Sequence, residues 1–249
     1  MQDLPPLSAK IGENARGMLI ALEGVDGTGK STQAQLLKRY LEEAGLNVFV
    51  LKEPGGTSFG QQLRQLIMAN LDNIDPVTQA LLMIASRRQT LYEQISPLVD
   101  DGYVVICDRY IDSTYAYQGY GYGEDLEVLK ALNVHSGVDI PADFTIYYDI
   151  SDELREARLG DRQLQGLGAE GFDDAGRDFV DRVRKGYREL AQQHPDSSVW
   201  LDISELSINE VARASLEAVE AFLNREIDEL VSDMVNSTDH TATTTTQPE

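Results

Sequence analysis

Cysteine is almost absent from this chain: one residue, Cys107, in 249. A single thiol excludes an internal disulfide and matches no metal-ligand spacing, so the chain suits a reducing compartment. Cys107 itself lies inside a strand-like run and reads as a small core residue. Basic residues are scarce too, with 21 Lys and Arg against 42 Asp and Glu and a net charge of -21. A field of that sign argues against broad binding to nucleic acid or to an anionic membrane. Any anionic ligand must therefore be held by a local cluster of arginines and lysines. No apolar run is long enough to span a bilayer, and the first residues, with Asp3, Pro5, Pro6, Lys10 and Glu13, contain no apolar h-region. The expectation is a soluble, cytoplasmic protein with no nucleic-acid or membrane partner.

What is present is enough apolar material, 42% of the residues, to bury one core. Residues 1–16 read as a disordered leader, 17–228 as one domain, and 229–249, ending in Thr243-Thr244-Thr245-Thr246, as a disordered tail. Five β-rich runs stand out: Met18 to Glu23, Val48 to Lys52, Val104 to Asp108, Phe144 to Asp149 and Val199 to Ile203. They are near-continuously apolar, as strands covered on both faces of a parallel sheet must be. Helical patterns fall between and after them: Ser31 to Ala44, Ser58 to Ala69, Pro76 to Val99, Leu126 to Ser136, Asp152 to Leu159, Arg177 to Gln192, and Ile208 to Leu223 or beyond. This alternation predicts an α/β fold, a doubly wound five-stranded parallel sheet flanked by helices. Ligands of such sheets sit beyond the carboxyl ends of the strands.

The clearest chemical signal follows the first strand. Gly24-Val25-Asp26-Gly27-Thr28-Gly29-Lys30-Ser31 has the spacing G-x-x-x-x-G-K-[ST] of a phosphate-binding P-loop, with Thr32 opening the next helix. Its backbone amides can surround phosphate oxygens at a helix N-terminus, Lys30 can reach the β and γ phosphates, and Ser31 can hold Mg2+. Asp108, closing the third strand, has the place of a second magnesium-directing acid. Its neighbour Arg109 suits a second phosphate rather than a metal. The run Ser113 to Tyr120 mixes hydroxyls, aromatics and an amide; it is compatible equally with nucleoside contacts and with plain structural tyrosines. Arg155, Arg158 and Arg162 precede a glycine-spaced stretch. They can be arginines of a mobile lid, about 155–176, or surface partners of Glu153, Glu156 and Asp161.

Taken in order, Glu23 to Thr32, Glu53-Pro54-Gly55-Gly56-Thr57, Arg87 with Gln89, Asp108-Arg109-Tyr110, Ser113 to Gly119, and Asp149-Ile150-Ser151 followed by Arg158 resemble the bacterial thymidylate kinases (dTMP kinases). The resemblance covers about Met18 to Leu223. It implies a P-loop kinase that moves the γ-phosphoryl group of ATP onto dTMP, giving dTDP and ADP in dTTP biosynthesis, with Mg2+ as cofactor and a homodimer as the assembly. By position it places ATP on residues Gly24 to Thr32 and magnesium on Ser31 and Asp108. The acceptor falls to Glu53, Pro54, Met83, Arg87, Arg109, Thr114, Tyr117 and Gln118, with a cis bond between Glu53 and Pro54. Lys30, Asp26, Arg109, Arg158 and Arg162 carry the reaction. Gly27 stands where another subgroup has an arginine, so the lid supplies that charge here. Met83 stands where the family usually has a phenylalanine on the thymine ring. Two other readings use the same loop: a P-loop kinase for a different nucleotide or small molecule, and a non-enzymatic nucleotide-binding switch. No Asn-Lys-x-Asp guanine-reading motif accompanies the latter.

Overall fold

The structure is a computed structural model that describes residues 16–164 and 176–241. Its centre is one sheet of five parallel strands: β1 (Met18–Glu23), β2 (Val48–Lys52), β3 (Val104–Asp108), β4 (Phe144–Asp149) and β5 (Ser198–Asp202). They lie in the order β2-β3-β1-β4-β5. Every residue of β1 and β3 is buried, as their unbroken apolar runs require. Met18 and Val48 both pair with Val104, so β1, β2 and β3 start level, while β4 starts two residues further along, with Phe144 opposite Ile20. The carboxyl ends, at Glu23, Lys52, Asp108 and Asp149, lie along the same edge of the sheet.

Helices cover both faces. They are α1 (Lys30–Glu43), α2 (Ser58–Ala69), α3 (Pro76–Thr90), α4 (Ile111–Thr114), α5 (Leu126–His135), α6 (Asp152–Leu164), α7 (Arg177–Gln193) and α8 (Ile208–Thr241). Adjacent strand residues point to opposite faces. Tyr147 packs on Tyr187 of α7, while the hydroxyl of Tyr148 meets Ser215 of α8. Thus α7 and α8 lie on opposite sides of β4, and α1 packs with α8.

The element boundaries follow local chemistry. Thr57 caps α2 by accepting from the amide of Gly60 at 3.0 Å, and Asp75 caps α3 ahead of Pro76. The expected helix from Pro76 to Val99 is interrupted: α3 passes into a wide π-helical turn, Leu91–Ile95, before a last turn, Ser96–Asp100. Pro97 has no N–H and crowds the preceding turn, which accounts for the widening. The segment 111–121, outside the expected helices, is helical, with α4 running into a π-helical stretch, Tyr115–Gly121. Its hydroxyls, aromatics and glycines are poor helix formers, and packing against α7 decides its shape. Helix α8 extends to Thr241, past residue 229 where a disordered tail is expected. No glycine or proline occurs from Ile208 to Thr241 to stop it. The bulk of the leader (1–15), the centre of the expected lid (165–175) and the end of the tail (242–249) lie outside the described residues.

Candidate active site

The P-loop leaves β1 through Gly24, whose φ of 139° is closed to ordinary side chains. A Cβ at this position would lie 2.4 Å from the carbonyl oxygen of Tyr148 on β4, so only glycine lets the loop pass the neighbouring strand. Lys30, buried in the first turn of α1, donates to the carbonyls of Gly24 and Val25, each at 2.9 Å. Burial, helped by the nearby Arg109 charge, pushes its ammonium down to about 8. The hydroxyl of Ser31 donates to Asp108, whose other carboxylate oxygen is buried without a protein partner. A hydroxyl and a carboxylate with an unused oxygen, beside a phosphate loop, are hard donors of the kind magnesium takes.

Two arginines of α6 reach the same loop. Arg155 donates to the carbonyl of Asp26 at 3.1 Å. Arg158 donates to those of Gly27 and Thr28 at 3.2 and 3.3 Å. A Cβ at Gly27 would come within 3.1 Å of the Arg155 side chain. Arg162 belongs to the same helix, and its side chain lies outside the described residues.

The second half of the site is a cleft beside the loop, lined among others by Asp26, Pro54, Met83, Arg87, Arg109 and Tyr117. Arg109 is the one described non-glycine residue at positive φ, 74°, and it turns the chain back at the end of β3. Its guanidinium meets Asp26 of the P-loop at 2.6 Å and the hydroxyl of Tyr117 at 3.0 Å. Burial would raise the Asp26 carboxyl, but the Arg109 and Lys30 charges outweigh it and hold the group below its ordinary range. Arg87, 2% exposed, pairs with Glu53 at 2.7 Å and donates to the carbonyl of Tyr110 and the hydroxyl of Thr114. Its remaining nitrogen, Nη1, has no protein partner. The Glu53–Pro54 bond is cis.

The predicted residues whose side chains are described come together around the loop and the cleft, with two exceptions. Gln118 is fully buried and donates to Gln79 of α3 at 3.1 Å, away from the cleft. Thr114 does not line the cleft and acts behind Arg87. Reading the sequence missed Arg64 and Met68 of α2, and Lys52 at the end of β2, which all line the cleft. Arg64, donating to the carbonyl of Pro54, is indistinguishable in sequence from the solvated side of an amphipathic helix. A larger groove of about 430 Å³ lies between α5 and α7, but its lining has no arginine and only Lys130 as a lysine. The anion chemistry selects the smaller cleft.

A P-loop touching a second arginine-lined anion site defines a kinase that passes a phosphoryl group to an acceptor already carrying one. The comparisons narrow this class. The family model described as Thymidylate kinase matches residues 22–214. Thymidylate kinase of Thermoanaerobacter sp. strain X514 is 40% identical over 187 residues, 75% of this chain and 90% of that protein. The Chlorobaculum tepidum enzyme of the same name is 37% identical over 213 residues, 84% and 99% of the two chains. The crystal structure of thymidylate kinase from Ehrlichia chaffeensis superposes with a TM-score of 0.66 at 32% identity, covering 82% of this chain and 99% of that one. This chain belongs to the thymidylate kinase family, and it transfers a phosphoryl group from ATP to dTMP in dTTP synthesis.

The depressed Lys30 has a measurable consequence. Its free-state value is about 8, and a bound triphosphate restores the charged form, so ATP binding takes up a proton above that pH and none well below it. Calorimetry at about pH 9 in buffers of different ionisation heat will show an uptake approaching one proton. The uptake disappears in Lys30→Met, and its absence from the unaltered protein would show that the ammonium is not depressed.

Proposed function

We propose how the site divides the reaction. The donor triphosphate lies on the amides of Gly24 to Thr32 with Lys30 on its β and γ phosphates. Arg109 and Arg64 hold the 5′-phosphate of dTMP, the free Nη1 of Arg87 reads the thymine edge, and Met83 and Met68 pack on the ring. Tyr117 shapes the deoxyribose pocket. The observation that carries this division is the 2.6 Å contact between Asp26 of the P-loop and Arg109 of the cleft. It brings donor and acceptor subsites within one side chain of each other.

The acceptor phosphate is already largely dianionic at neutral pH, since its second pKa is about 6, so no general base is required. Catalysis is then alignment and charge compensation. Arg155 and Arg158, already on the loop carbonyls, are placed to meet charge on the transferring group, and Arg162 is assigned with them from its position on α6. Ser31 and Asp108 would hold Mg2+, which when bound compensates charge on the β and γ phosphates. The single buried thiol, Cys107, fits action in the reducing cytoplasm.

In assays of ADP release with ATP and Mg2+ against dTMP, dUMP, UMP, CMP, AMP and no acceptor, dTMP will be strongly preferred. Dominance of another acceptor would refute the assignment of Arg87 and Met83 to thymine. Lys30→Ala, folded by circular dichroism, will lose turnover by at least about a hundredfold; near-normal turnover would remove Lys30 from the reaction.

We also propose a homodimer through α2 and α3. Phe59 and Leu66, seven residues apart on one face of α2, are 47% and 50% exposed, and Leu81 on α3 is 44% exposed. Light scattering on the full chain will give twice the chain mass, and Leu66→Glu will shift it toward the monomer. A monomeric unaltered protein overturns this face as the interface.

A further inference from the structure

We infer that Tyr187 and Glu23 are positioning residues for Arg109, acting on the acceptor phosphate without touching it; this rests on the assignment of Arg109 given above. Glu23 ends β1 and is fully buried. One of its carboxylate oxygens accepts from the backbone amides of Tyr110 and Ser113 at 2.8 and 3.2 Å. The other accepts from the hydroxyls of Ser113 and Tyr187 at 2.6 and 3.0 Å. Each hydroxyl has a single proton, and because Nη1 of Arg109 donates to both oxygens, at 3.1 Å each, those protons go to the carboxylate or to the other hydroxyl, 2.8 Å away.

The arrangement is a relay in two layers: guanidinium to hydroxyl, hydroxyl to carboxylate. Nη2 is directed independently, by Asp26 and Tyr117. Four hydrogen bonds from four side chains therefore fix the plane of the guanidinium. This matters because the Arg109 backbone sits at φ 74°, outside the region its own side chain favours. Ser113 is only four residues away and moves with it. Tyr187 comes from α7, 78 residues along the chain, and ties the guanidinium to the opposite wall. Removing its hydroxyl takes away one acceptor and one donor to the carboxylate, and changes no charge.

The test compares dTMP with thymidine, which lacks the phosphate, by calorimetry on the full chain. Tyr187→Phe will weaken dTMP by about tenfold while thymidine binding and the KM for ATP stay within about twofold of the unaltered protein. Ser113→Ala, a second variant that keeps the tyrosine, will act in the same direction. In an Arg109→Lys background, Tyr187→Phe will add nothing to the loss. The readout is the ratio of dTMP to thymidine affinity, which general loosening of the fold does not change. A fall of threefold or more, as an order-of-magnitude threshold, supports the relay; any smaller change, or equal loss of both ligands, overturns it. If Arg109→Lys itself weakens dTMP and thymidine alike, the assignment of Arg109 to the phosphate fails instead.

Discussion

The pairing of Arg109 with Asp26 is the contact on which the rest of the site depends. A chain with 42 acidic and 21 basic residues cannot attract two polyanions through its overall field. It concentrates cations locally, and cations taken out of water need partners to remain charged. Asp26 serves Arg109, Glu53 serves Arg87, and backbone carbonyls serve Lys30, Arg155 and Arg158. Lys30 is buried with neutral hydrogen-bond partners, the carbonyls of Gly24 and Val25 and the hydroxyl of Thr28, and that burial, with the Arg109 charge nearby, makes its ammonium lose part of its hold on its proton. The acids within the site are therefore conditions for its positive charge, distinct from the solvated acids of the surface.

Much of this was legible in the residues alone, for identifiable reasons. Strands buried on both faces leave continuous apolar runs, and β1 to β4 begin and end where those runs do. The P-loop signals itself because its function fixes glycine at points the backbone cannot otherwise reach, of which Gly24 is the sharpest. Arg109 was visible as a charge at the end of a buried strand. Arg64 was not, because one arginine on an amphipathic helix carries no mark of the direction it faces. For Gln118 the sequence showed a chemically suggestive run but not its direction: the helical form of the run turns its amide toward Gln79. The helical form of 111–121 was hidden because its stability lies in α7 and in Glu23, both distant in sequence.

Stability and chemistry share the same atoms at the end of β3. Arg109 interrupts the extended chain with a left-handed residue, and the amides that follow it, of Tyr110 and Ser113, are the ones Glu23 satisfies. A single carboxylate thus starts α4, completes the hydrogen bonding of the turn, and orders the hydroxyls around the guanidinium. The strained residue is held between two strands: it follows β3, while β1 supplies both the Glu23 carboxylate beside it and the Leu22 carbonyl that takes the Arg109 amide at 3.0 Å.

Gly27 shows how such a site constrains its own variation. The volume that a side chain there would enter is bounded by the Arg155 side chain, 3.1 Å from the missing Cβ, and by Leu159 behind it. Two positions 128 residues apart in sequence consequently contend for one space above the phosphate loop. A side chain at position 27 would have to displace the Arg155 stem and would also sit strained at a φ of 91°, so the arginine above this loop comes from the helix.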